Sequence, residues 1–226
     1  TTYETTAEDG AAQESFDDRC LTGADANQYA DCRVLGAVES LDVYWASTLP
    51  QLGVEYRPPG VVVFAGTTSS ACGTASGATG PFYCPTDQTI YLDTTFFASL
   101  YEFGYEAGPT AEVYVVAHEY AHHIENLMGV FAVADRTTTG ADSDTVRVEL
   151  MADCLAGDWL GDASTTIDPD TGQTFLAPIT SDQLDNALAA AESDSDSDDD
   201  VGHGTGAAGA ALASLSLAPK DEQRIV

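Results

Sequence analysis

Apolar residues recur near the helical period in three stretches of this chain and crowd into strand-like runs in two others. From Ala26 to Leu49, the residues Tyr29, Val34, Leu35, Val38, Leu41, Tyr44 and Trp45 follow that period, and Pro50 ends the run. This pattern predicts a helix with one face on a core. A second helix is expected from about Thr110 to Met128, preceded by Gly108 and Pro109 and stopped by Gly129. A third runs from about Ser143 to Leu160. Between the first two, Arg57, Pro58 and Pro59 interrupt the chain ahead of Val61, Val62, Val63 and Phe64, a β-branched run typical of a buried strand. Thr89 to Phe97, with Ile90, Leu92 and Phe96, reads as a second strand or as an extended segment leading into a helix. Ala65 to Pro85 is mostly Gly, Ser, Thr and Ala and reads as a loop.

These elements define an α+β chain. Residues 1–14 are polar and read as a flexible lead-in, residues 15–190 as one domain, and residues 191–226 as an acidic loop and C-terminal segment of that domain. Within the last segment, Asp194 to Asp200 lacks the Gly and Glu offsets of an EF-hand and reads as a solvated loop rather than a calcium site. At 226 residues and 44% hydrophobic, the chain can bury a substantial core.

Charge narrows the partners. Thirty-seven acidic residues against seven basic ones give a formal charge of -30, which repels phosphate backbones and anionic membranes. The excess serves solubility on one reading and adaptation to high salt on a sharper one, supported by the single lysine, Lys220. No apolar run reaches the ~18 residues of a membrane span, so a soluble protein is expected. Cys20 and Cys32 stand twelve apart, as do Cys72 and Cys84. Of the three connectivities open to four cysteines, the sequential pairing is the favoured one. With Thr1 at the start in place of Met, it points to a secreted protein in an oxidising compartment. The competing reading leaves all five cysteines reduced and buried.

The segment from Val116 to His123 contains H-E-x-x-H inside the second helix. Residues four apart on a helix lie one turn apart on the same face, with Cβ atoms about 5–6 Å apart. His118 and His122 can therefore reach one tetrahedral Zn²⁺, and Glu119, beside them, is placed to transfer a proton as general base. A catalytic zinc site needs a third protein ligand. The extended metzincin pattern would place Gly at 125 and His at 128, where this chain has Glu125 and Met128. In the third helix, Glu149 and Asp153 are four apart among apolar residues on nearly every side. Carboxylates buried there are costly unless something positive compensates them. A metal and a metal-bound imidazole would do so, making Glu149 the third ligand and Asp153 the group that orients a ligand histidine. A basic partner such as Arg147 is the alternative.

Three motifs, Ala117 to His123, Val146 to Gly157, and Gly80 to Pro85 with Tyr91-Leu92-Asp93 after it, resemble the neutral zinc metallopeptidase family of bacteria. The likeness extends more loosely over Ala30 to Leu188. It implies a single-domain zincin with the gluzincin ligand set, secreted or envelope-associated, in which a second helix brings Glu149 to the metal and a small sheet walls the cleft. It also implies that Cys154 is a packing position, and the residue's odd, apolar setting suggests burial too. His203-Gly204-Thr205 resembles a C-terminal family segment, and His203 reads either as a donor to the oxyanion of a tetrahedral intermediate or as a surface-loop histidine, while Tyr120 reads either as that donor or as a core residue. Peptide or protein substrates are the expected partners. A zinc-binding interaction protein without turnover and a zinc hydrolase of non-peptide substrates remain the alternatives.

Overall fold

The computed structural model describes residues 3–6, 19–76, 79–96, 109–167 and 172–184. His203 and the acidic run at 194–200 lie outside the described residues, as does most of the lead-in.

The first predicted helix is two. A capping box between Thr22 and Asp25 starts α1 (Gly23–Gln28), Tyr29 is extended, and α2 (Ala30–Thr48) follows. The Cys20–Cys32 disulfide straddles this junction and fixes the chain before α1 to the first turn of α2. Pro50 ends the α-helix as expected, inside a 3₁₀ turn at Leu49–Leu52. Val34, Ala37, Val38, Leu41 and Trp45 are the buried stripe of α2.

The sheet has the order β1-β2-β6-β5, formed by Tyr3–Thr6, Gly60–Phe64, Thr89–Asp93 and Phe82–Cys84. β1, β2 and β6 are parallel, whereas β5 runs antiparallel to β6 at the sheet edge. Gly60 lies opposite Thr89, and a Cβ there would meet Thr89 Oγ1 at 2.6 Å, so this register requires glycine. Two expectations are corrected here. The lead-in supplies β1, because the edge of β2 offers Tyr3–Thr6 backbone partners that a polar sequence does not advertise. The Gly/Ser/Thr-rich loop contains a hairpin, β3 (Thr67–Ser70) and β4 (Gly73–Ser76), held mainly by its own backbone pairing. Ala75 is its one buried residue. The Cys72–Cys84 disulfide ties the hairpin turn to β5. Both disulfides are of the kind that persists outside a reducing cytoplasm.

Three further helices build the site region: α3 (Pro109–Met128), the short α4 (Val130–Val133) and α5 (Asp144–Ala163). α3 is stopped at Gly129, whose φ of 80° is left-handed. Ser143 caps α5, its hydroxyl accepting from the Val146 N–H at 3.2 Å. α3 packs between α2 and α5 and touches β5 and β6, so it is buried on almost every side. α5 is not: Val146, Ala152, Ala156, Trp159 and Leu160 are buried, but Cys154 is an exposed free thiol. The expected burial of Cys154 therefore fails, because the outer face of α5 has no packing layer over that position among the described residues. No described helix is long and apolar enough to cross a membrane.

Candidate metal centre

α3 and α5 pack closely, and their facing turns bring His118, His122 and Glu149 together. Glu149 Oε2 stands 3.2 Å from His118 Nε2 and 3.3 Å from His122 Nε2. All three offered ligand atoms lie within 4.8 Å of one another. Tetrahedral ligands at roughly 2.0–2.1 Å from a zinc ion stand about 3.3 Å apart, so the spacing around Glu149 suits such an ion. The two imidazoles meet edge to face, at 87° with centroids 4.8 Å apart.

The distal nitrogens are anchored as well. His118 Nδ1 lies 2.9 Å from Asp153 Oδ1, which also accepts from the Tyr114 hydroxyl at 2.7 Å. His122 Nδ1 lies 2.8 Å from Glu125 Oε2. Arg147, the alternative partner for the α5 carboxylates, pairs instead with Asp144 on the exposed face at 3.0 Å. Glu119 is 6% exposed and Glu125 is wholly buried.

The electrostatics report a demand for positive charge. Burial alone would push both His118 and His122 toward the neutral form. Hydrogen bonds to Asp153 and Glu149 outweigh this at His118 and hold its pKa well above the ordinary value. At His122, the Glu149 charge and the Glu125 hydrogen bond raise the pKa to about 10. Glu119 is pushed up by burial, partly offset by the two histidines and by a backbone hydrogen bond from Tyr83. Glu125 is raised by burial against the opposing pull of His122, and its Oε1 is buried without a hydrogen-bond partner among the described residues. A dication held by His118, His122 and Glu149 fits this site: two imidazoles and a carboxylate are a suitable donor set, and the surrounding carboxylates need its charge.

The opposite face of α3 is different in kind. His123 Nε2 donates to the Arg57 carbonyl at 2.7 Å, which leaves Nδ1 to accept from the Tyr83 hydroxyl at 3.0 Å. Asn126 Nδ2 in turn donates to the Tyr83 oxygen at 2.9 Å. Burial lowers the His123 pKa, so it is a neutral clamp between α3, β5 and the Arg57 segment. Tyr120 is also core: its hydroxyl donates to Asp42, and the Tyr56 hydroxyl stands 2.5 Å away. Of its two readings, core residue and oxyanion donor, the structure shows the first. Sequence reading missed Glu125 and Tyr114; the H-x-x-E spacing of His122 and Glu125 was a usable signal for the first.

A model of the family described as "Putative neutral zinc metallopeptidase" matches residues 2–207, and the chain belongs to that family. Uncharacterised proteins of Mycobacterium tuberculosis and Mycobacterium bovis are 47% identical to it over 174 residues, covering 76% of this chain and 58% of each relative. An uncharacterised Escherichia coli protein, YpfJ, is 36% identical over 120 residues, 51% of this chain and 42% of its own length. The chain thus spans little more than half the length of its mycobacterial relatives. No solved structure matches.

Proposed function

We propose that this protein is a secreted zinc-dependent endopeptidase in which His118, His122 and Glu149 hold the metal and Glu119 is the general base. The observation that carries the reading is the convergence of His118 Nε2, His122 Nε2 and Glu149 Oε2 beside a buried Glu119. When bound, zinc supplies Lewis acidity, which polarises a carbonyl and makes water nucleophilic at neutral pH.

The protein's own groups do the rest. Asp153 accepts from His118 Nδ1, fixing the tautomer that turns Nε2 toward Glu149. Glu119, its pKa raised by burial, takes a proton from the attacking water and returns it to the leaving amine. β5 supports a peptide substrate: Tyr83 acts on Glu119 through its backbone, and among the described residues no strand pairs with the outer edge of β5. An extended peptide could lie along that edge. His203 remains our candidate for stabilising the oxyanion. The retained base favours turnover over a purely structural zinc, for which Glu119 has no use.

The test is turnover of casein and of quenched peptides by the full chain. Activity abolished by a chelator and restored by zinc is the expected result. Stoichiometric zinc without peptide hydrolysis would transfer the reading to a binding protein or to another substrate class.

A further inference from the structure

We propose that Glu125 is a positioning residue of the metal centre, its carboxylate holding His122 in the tautomer and ring orientation that present Nε2 to the site. The inference rests on the zinc reading above and extends it to a residue outside the ligand set. The two ligand histidines are then anchored by different means. Asp153 reaches His118 from across the helix pair, whereas Glu125 reaches His122 from three residues on along the same helix.

Geometry carries this. Glu125 Oε2 is 2.8 Å from His122 Nδ1, and with the carboxylate as acceptor the ring proton sits on Nδ1 and Nε2 is left for a metal. Glu125 is 0% exposed, and its Oε1 is buried with no hydrogen-bond partner among the described residues. Helix stability does not require such a residue: an i,i+3 pair adds little, and an apolar side chain would fill the volume without an orphaned oxygen. What a buried acid does here that an apolar residue cannot is orient the imidazole and make it a more basic ligand. The ring also has room to turn only within limits, since it packs edge to face on His118 and 6.3 Å from the Phe131 centroid.

The test compares wild type with Glu125→Leu and Glu125→Gln, measuring zinc affinity by chelator competition, the visible spectrum of the cobalt-loaded protein, and the ¹⁵N shifts of His122 with zinc bound. Leu removes the acceptor and should weaken zinc by roughly 10- to 100-fold with an altered cobalt spectrum. Gln keeps an acceptor oxygen and should lose less, with the Nδ1–H tautomer retained. If the Leu variant does not fold, the Gln variant decides: a weaker zinc constant supports the role. Wild-type zinc binding with variants matching it in affinity and cobalt spectrum would overturn the role of Glu125 alone. A wild-type chain that binds no zinc would overturn the zinc reading and this inference together.

Discussion

The two long faces of α3 put the same residue type to opposite uses. On one, His118 and His122 sit among Glu149, Asp153 and Glu125, and their pKa values are driven up. On the other, the hydrogen-bond partners of His123 are neutral, the Tyr83 hydroxyl and the Arg57 carbonyl, and burial drives its pKa down against the weaker pull of Asp42. His122 and His123 are adjacent in sequence, but about 100° of helical rotation separates them. The first face concentrates negative charge that protons on the imidazoles or a bound cation would offset, while the hydrogen bonds of the second are already paired. The difference shows that a histidine on a buried helix is set up as a candidate ligand or as a clamp according to the charge of what it faces.

The largest effect expected from breaking this asymmetry comes at the carboxylate shared by both imidazoles. Glu149→Ala should lose most of the bound zinc and with it activity, whereas Asp153→Ala should weaken zinc by roughly 10- to 100-fold. Metal content after gel filtration checks both; an emptied site in Asp153→Ala with a full one in Glu149→Ala would reverse their roles. Next, Glu119→Gln should keep one equivalent of zinc and the fold but lose at least about 10² in turnover, measured at saturating peptide. Near wild-type turnover would remove Glu119 as the base.

A cut on the other face should act on stability instead of on metal. His123→Ala removes the acceptor of the buried Tyr83 hydroxyl proton and the donor to the Arg57 carbonyl, at roughly 1–3 kcal/mol for the group left unsatisfied at Tyr83. Denaturant unfolding should show this loss while zinc stoichiometry stays at the wild-type value. Zinc loss in a folded His123→Ala variant would mean the two faces are not separate. The smallest effect concerns the acidic surface. With a net charge of -30, repulsion should destabilise the compact state at low ionic strength. Raising salt from 0.01 M to 1 M shrinks the Debye length from about 30 Å to about 3 Å, so the unfolding midpoint should rise with NaCl at fixed calcium. A flat or falling midpoint would leave the acidic excess as a matter of solubility.

Much of the ligand face was legible in the sequence because its signals are local. H-E-x-x-H places two imidazoles by helical geometry alone, and acids inside an apolar helix pattern announce Glu149 and Asp153. Glu125 was visible as a spacing but not as a site, since its burial depends on how α3 packs. Cys154 was misread for the same reason: the α5 pattern is apolar on most sides, and only the arrangement of neighbours shows which side stays open. β1 and the β3–β4 hairpin were hidden because their short polar segments carry no alternation of large apolar residues, and their strand character comes from backbone pairing with partners distant in space or across a tight turn. The disulfides were the converse case, where even spacing foresaw the sequential pairing that the fold forms.

The measurement that bears most directly on the zinc centre is X-ray absorption at the zinc edge on the zinc-loaded full chain, alongside the Glu149→Ala variant. The account predicts one zinc per chain bound by two imidazole nitrogens and one carboxylate oxygen from the protein, with the carboxylate contribution lost in the variant. A zinc bound through sulfur, or an unchanged coordination shell in Glu149→Ala, would contradict it.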